Sequence, residues 1–564
     1  MNERISAKGT VKLGVILFFL SFLFIPLLVV VWTAWPHQSA TPLSTIKHAF
    51  TPKWLDAFGN SVKYALVASG ISTVLGFLLA YGNSFTKIGK NRLKLGTNII
   101  QFPMLLPTIT YGYVLIYAFG KQGIWSQLLH KELFSIYGQT GILIGFVLYT
   151  LPPIFLLINN GMHFLDSRLF TVSRLLGDPW YKSLYQTILI PLKRILVVAM
   201  LQGFFMCFTD FGIPSALGGQ TPFITTLLYE GFMGTIPDFQ YGAVIALTML
   251  LPSVFSIVLL NRLQKKVTKY DKPKQVNVKQ NFYRDSFYRL LYLGVTTAII
   301  SIFLPLFIIP FVKNWPFEFH FTWSNFEQFL QNRDLLSTLQ NSILAGLLVA
   351  LLGTICAYFA AVSSSRETTG SVSERLIDGI ATITNSIPGM VLGISYLLIF
   401  TRTPLHNSLA ILVIVTIVHY FATPYQMGKE AMQKMNGHWE NTARLMGDSW
   451  LKTIWRVLLP NSLNTIIDMF SYYFFNAMVT ISAVVFLTSA NTMLITTKLK
   501  ELQYFGKFND IFILSLFLLL INSTMQLLIY LIKRRITTNE NQKSPSIRFI
   551  SRFFRNNDRM RQQS

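Results

Sequence analysis

His438 to Pro460 reads HWENTARLMGDSWLKTIWRVLLP, and Leu169 to Pro191 reads LFTVSRLLGDPWYKSLYQTILIP. Each stretch interrupts a mostly apolar chain with polar sequence built around one Gly-Asp pair, Gly177-Asp178 or Gly447-Asp448. After Gly447, the residues Leu451, Ile454, Trp455 and Leu458 recur at i, i+3, i+4 and i+7; after Gly177, Tyr181, Leu184, Tyr185 and Ile188 do the same. Each set predicts one apolar stripe on a helix. Before the glycines, Leu169, Val172, Ser173 and Leu176 match Trp439, Thr442, Ala443 and Met446. The pattern predicts two short amphipathic helices hinged at each Gly-Asp. Glycine supplies the sharp turn, and Asp178 and Asp448 are expected to cap the second helix.

The flanking sequence sets the solvent. The chain of 564 residues is 52% hydrophobic and only 13% charged, with 47 Phe, against about 25% charged for soluble domains. Apolar runs of bilayer-spanning length recur throughout. Twelve spans are expected: 12–34, 61–82, 96–119, 138–160, 195–217, 241–262, 290–312, 341–362, 377–400, 407–428, 464–487 and 510–532. Met1 to Trp35 is basic and then apolar, and the repeat described below requires it as a permanent helix rather than a removed leader. The fold class expected is an all-α polytopic membrane protein.

The net charge of +24 does not point to nucleic acid, because the basic residues lie between apolar spans. With the N-terminus in the cytoplasm, that end, the even-numbered connections and the tail hold most of the 48 Lys and Arg. This bias places both termini in the cytoplasm. The linker Asn261 to Arg284 and the tail after Lys533 take much of the charge; orientation and solubility account for it more simply than binding to anionic lipid. Cys207 and Cys356 fall in spans of different halves and imply neither a disulfide framework nor a zinc site.

The halves repeat. Trp35-Pro36 answers Trp315-Pro316, and Asn60-Ser61 answers Asn341-Ser342. Pro107 is followed five residues on by Gly112, and Pro388 by Gly393. Six spans per half is an even number, so this is a parallel duplication. The expected segments are a first transmembrane helix and outer loop over 1–56, a transmembrane domain over 57–262 and a basic cytoplasmic linker over 263–289. A seventh helix and outer loop over 290–336, a second transmembrane domain over 337–533 and a basic cytoplasmic tail over 534–564 follow.

The second polar loop resembles the coupling loop of binding-protein-dependent ABC importer permeases, Glu-Ala-Ala-x-x-x-Gly-x9-Ile-x-Leu-Pro. Arg444, Gly447, Val457, Leu459 and Pro460 fit, with Ala443 at the second Ala. Glu440 stands one residue early, and Asn441 takes its place. In the first copy Thr171, Val172 and Ser173 replace Glu-Ala-Ala and Pro191 comes one residue late, while Arg174 and Gly177 remain. The resemblance implies the type I ABC importer transmembrane fold in a bacterial inner membrane. It implies two ATPase subunits docked on Arg174, Leu176, Gly177 and Asp178 and on Arg444, Met446, Gly447 and Asp448, and an external solute-binding protein. No catalytic residue, cofactor or metal is expected. The chain has no G-x-x-x-x-G-K-[ST] segment, so ATP chemistry falls to partner chains.

The fused form with these lengths is similar to 2-aminoethylphosphonate permeases and next to ferric-iron permeases. Thr209 to Gly219, Ile387 to Tyr396 and Phe474 to Leu487 look closest to the phosphonate type. A pathway set follows from the polar residues in the third, fifth, ninth and eleventh spans: Thr108, Thr110, Asp210, Asn385, Ser386, Asn476, Thr480 and Ser482. Asp210, an acid within a span, is a functional candidate. It also suits a structural role, and for each Ser, Thr or Asn interhelical hydrogen bonding competes with substrate contact. His419 reads as a packed histidine. The competing class is an ion-coupled secondary transporter of twelve helices, which has no use for two matched glycine-hinged ridges. A membrane-embedded enzyme finds no support in any His/Asp/Glu cluster, Cys motif or nucleophile elbow.

Overall fold

The computed structural model describes residues 2–35, 50–264, 280–365 and 372–542. Much of the basic linker and tail, and most of the first outer loop, lie outside the described residues.

Among the described residues, eight helices are long and apolar enough to cross a membrane: Ala7–Ala34, Pro52–Phe85, Gln139–Met162, Trp180–Thr209, Phe239–Leu260, Phe282–Phe311, Arg333–Ser365 and Phe508–Ile536. Three further candidate crossings are bent pairs. Arg92–Leu105 meets Thr108–Leu129 at 109°, Glu374–Ser386 meets Gly389–Phe400 at 102°, and Leu409–His419 meets Ala422–Lys434 at 54°. The eleventh expected span, which brings the total to twelve, is the helix Leu463–Val479. The two repeats use matching partners. Pro52–Phe85 packs on Gln139–Met162 and Ile190–Thr209 in the first half; Arg333–Ser365 packs on Ala422–Lys434 and Leu463–Val479 in the second. Small hydroxyl residues join these helices, as Ser72 does with Thr150 at 2.7 Å and Tyr358 with Ser462 at 2.9 Å.

Each half lends its first helix to the other. Ala7–Ala34 lies against Gly389–Phe400 and Arg333–Ser365, and the Tyr396 hydroxyl donates to the Phe22 carbonyl at 2.5 Å. Phe282–Ile308 lies against Thr108–Phe119, Lys90–Gln101 and Pro52–Phe85, and Tyr292 donates to the Leu79 carbonyl at 2.8 Å.

Five expected spans are not single helices, the tenth being the bent pair Leu409–His419 and Ala422–Lys434. The third and ninth break where Pro107 and Pro388 take extended ψ angles of 150° and 139° and start a new helix. Carbonyls near the first break are bonded from elsewhere: Tyr111 donates to Pro103 O at 2.6 Å and Asn522 to Leu105 O at 2.8 Å. The fifth span ends at Thr209 rather than residue 217, because Asp210 is extended and a short helix, Gly212–Leu217, follows. The eleventh ends at Val479 rather than 487, with Thr480 extended in the matching place.

These breaks explain the repeated Pro-x4-Gly. A Cβ built on Gly112 would lie 2.3 Å from the Ala216 Cβ, and one on Gly393 would lie 2.6 Å from the Ala483 carbonyl oxygen. In each half the segment beyond the broken helix presses against the helix that begins after the proline.

Between the crossings Phe282–Phe311 and Arg333–Ser365 the chain forms a short antiparallel hairpin of Val312–Asn314 and Glu318–Phe321, which the sequence reading left as loop.

Candidate functional site

Two loops and one cavity carry the features expected of function. Both glycine hinges are left-handed, Gly177 at φ 67° and Gly447 at φ 86°. A left-handed residue closing a helix lets later amides reach back to free carbonyls. Asp178 N–H bonds Ser173 O at 3.1 Å, and Asp448 N–H bonds Ala443 O at 3.0 Å.

The aspartates do not cap the second helix. Pro179 and Ser449 stand at the caps, and Ser449 Oγ accepts from Lys452 N–H. The aspartate side chains instead clasp the hinge, being a residue too early to reach the first amides of the helix. Asp178 accepts from Ser173 Oγ at 3.1 Å and pairs with Lys182 at 2.7 Å; Asp448 pairs with Lys452 at 2.8 Å and Arg456 at 3.4 Å. The Lys182 ammonium holds the Asp178 carboxyl below its usual range, and Lys452, with Arg456 beyond it, does the same for Asp448.

The expected apolar stripe divides in two. Ile188, Ile454 and Leu458 are buried against the bundle, whereas Tyr181, Tyr185, Leu451 and Trp455 are exposed. A π-helical turn at Tyr185–Leu189 and at Ile454–Leu458 widens each helix at this point. Each lies just before a proline, Pro191 or Pro460, whose ring cannot sit over an α-helical carbonyl. Leu175, Leu176 and Trp180 extend the first exposed ridge, and Leu445 and Met446 the second. Leu175 and Leu445 were missed because they fall outside the i, i+3, i+4, i+7 set read before each glycine. The side chains of Arg174 and Arg444 lie outside the described residues. Six crossings separate the loops when each bent pair counts as one, so both ridges emerge at the same end.

A cavity of about 530 Å³ lies between the halves. Of the expected pathway residues, Thr108, Asp210, Asn385, Asn476, Thr480 and Ser482 line it. Thr110 and Ser386 do not: Thr110 is buried against Ser515 at 3.3 Å, and Ser386 bonds Thr382 O at 2.7 Å within its own helix. Asp210 serves two purposes. It lines the cavity, and its Oδ2 accepts from Ile213 N–H at 2.8 Å, fixing the short helix beyond the break. Thr225 Oγ1 donates to the Asp210 carbonyl at 3.0 Å.

Tyr149, Gln202, Tyr420, Thr423 and Gln426, which the sequence reading missed, add to the polar lining, together with Tyr111 and Tyr472. Helical spacing carries their signal: Gln202 and Met206 precede Asp210 by two turns and one, and Tyr472 stands one turn before Asn476. His419 also lines the cavity, its ring 4.5 Å from that of Tyr420. Among the described lining residues there is no Lys or Arg, and Asp210 is the only carboxylate. No group of three metal-ligating His, Cys, Asp or Glu exists among the described residues.

The chain is similar to the ferric transport system permease protein FbpB of Actinobacillus pleuropneumoniae, at 24% identity over 449 residues, covering 76% of this chain and 64% of that protein. The match thus spans a little under two thirds of that relative's length. It is also similar to the putative ferric transport system permease protein FbpB 1 of Haemophilus influenzae, at 24% identity, covering 75% and 68%. A probable sulfate transport system permease protein of Prototheca wickerhamii is 25% identical over 39% of this chain and 86% of its own. Two of these relatives are named for ferric transport and none for phosphonate. The family described as the binding-protein-dependent transport system inner membrane component matches twice, at residues 72–269 and 353–538. The chain belongs to that family and carries two copies of its domain in one polypeptide.

Proposed function

We propose that this chain is the permease subunit of an ATP-driven importer in a bacterial inner membrane, and that its solute is ferric iron delivered by an external binding protein. Two identical ATPase subunits dock on the ridges, since LxGDxWxK recurs in both loops, from Leu175 to Lys182 and from Leu445 to Lys452. Closure of the ATPase pair then drives the halves against each other around the cavity.

One observation carries the substrate reading: a polar cavity with one carboxylate and several tyrosines, and no Lys or Arg among its described lining residues. Ferric iron is a hard cation that accepts oxygen donors, and Asp210 with Tyr149, Tyr420 and Tyr472 supplies them. An oxyanion such as sulfate, or the anionic end of a phosphonate, calls for Arg, Lys or convergent N–H groups. With so few charged ligands the ion passes without being trapped, and the external protein does the selecting.

The test is paired uptake of labelled ferric iron and labelled 2-aminoethylphosphonate by a deletion strain and its complemented parent. Loss of iron uptake alone supports the reading. Loss of phosphonate uptake with iron uptake intact overturns the substrate and leaves the permease assignment standing.

A further inference from the structure

We propose that the hairpin following the Phe282–Phe311 crossing is a membrane anchor, seating Phe317, Phe319, Phe321 and Trp323 in the headgroup layer of the leaflet opposite the coupling ridges. Three crossings separate this hairpin from either hinged loop, which puts it at the other end of the bundle. It begins at Val312, directly after a helix of spanning length and composition, so its height is that of the membrane surface.

The hairpin is tied down, yet its rings are uncovered. Thr322 N–H bonds Phe311 O at 2.8 Å, and Asn325 Nδ2 bonds Val312 O at 2.8 Å, fixing it to the helix end. Trp315 Nε1 donates to Gln122 O at 2.7 Å, which ties it to the first half. Despite these restraints Phe317 is 78% exposed, Phe319 57%, Phe321 72% and Trp323 68%. Four large aromatics held rigidly in water would cost free energy with no return, whereas aromatic rings at headgroup level are favoured.

The ladder is irregular, with Val312 facing Phe321 and Asn314 facing Glu318, so ring contacts rather than strict alternation mark the hairpin's apolar side. Trp315, Phe319 and Phe321 meet edge to face along it, with ring centroids 5.7 Å apart at each step. Glu318 and His320 are the polar residues of the same strand. Lys313 pairs with Glu318 at 3.1 Å, so the polar residues offer little net charge to steer a protein partner. Deeper insertion is excluded, because two short strands leave edge N–H and C=O groups that only interfacial water satisfies.

The experiment uses the full chain with Cys207→Ala and Cys356→Ala, in vesicles of phosphatidylcholine and phosphatidylglycerol. Single cysteines at 318, 319, 320 and 321 carry an environment-sensitive fluorophore. Nitroxide-labelled lipid is expected to quench Phe319→Cys and Phe321→Cys, and aqueous iodide to quench Glu318→Cys and His320→Cys. Replacing Phe319 with photoreactive benzoylphenylalanine keeps an aromatic ring and is expected to crosslink phospholipid. Equal iodide quenching at all four sites would overturn the proposal. So would a crosslink to the solute-binding protein in place of lipid, which would make the hairpin a docking surface.

Discussion

Ala216 fills the space that a side chain at Gly112 would occupy, 2.3 Å from where that Cβ would stand. The contact locks the short helix after Asp210 onto the helix after Pro107. Gly112→Ala is expected to destabilise by roughly 1–3 kcal/mol through overpacking. Adding Ala216→Gly restores the space and is expected to recover most of the loss. Thermal denaturation of the two single variants and the double variant in detergent measures the coupling; additive losses would show that the two residues act independently.

The hinges call for a different outcome. Gly177 and Gly447 have nothing within 4 Å of a built Cβ, so a substitution there meets strain in the backbone rather than a clash within the chain. A non-glycine residue at positive φ costs roughly 1–2 kcal/mol. Gly447→Leu is expected to insert and purify normally while uncoupling uptake from ATP hydrolysis in the assembled transporter. Gly177→Leu is expected to do likewise. Normal uptake by both at normal protein levels would remove the coupling assignment.

Asp210→Asn separates the two tasks of that residue. The amide oxygen still accepts from Ile213 N–H, so thermal stability is expected to change little. The charge is lost from the cavity, and iron uptake is expected to fall several-fold while the ATPase remains coupled to the bundle. Unchanged uptake would reduce Asp210 to a structural acid.

Asp178 and Asp448 make a pH prediction. Both carboxyls titrate below the ordinary 3.8, so their hinge clasps are complete above that value and are lost only as pH falls through the lower folded-state value. Amide exchange of the two loops is therefore expected to show no clasp-dependent opening between neutral pH and about pH 4. Asp448→Asn, which removes the charge facing Lys452 and Arg456, is expected to speed exchange at Asp448 across that whole range.

Most crossings were legible because a long apolar run has one outcome in a bilayer. The breaks were harder. Pro107 and Pro388 end helices, yet Pro152 and Pro153 sit inside the continuous helix Gln139–Met162, so proline alone does not decide. What distinguishes Pro107 is how the nearby carbonyls are bonded: Pro103 O by Tyr111, one turn past the break, and Leu105 O by Asn522 of a distant helix. Asp210 and Thr480 end their helices early for a similarly non-local reason, since the segments beyond them dock on glycines far away in the chain. The hinge glycines could be read from local sequence, because their positive φ depends on the turn itself. The aspartate roles could not, because Lys182 and Lys452 lie a turn further along and compete with the helix amides.

The exchanged first helices give the two halves a reciprocal dependence. Ala7–Ala34 packs on Gly389–Phe400 and Arg333–Ser365 of the second repeat as well as on Phe239–Gln264 of the first, and Phe282–Ile308 packs on the first repeat, so neither repeat has a complete lipid-facing surface by itself. A cut in the linker between residues 264 and 280 would not release two independent modules. It would leave a heterodimer in which each fragment is the other's missing wall, and either fragment made alone would expose the groove its absent partner fills.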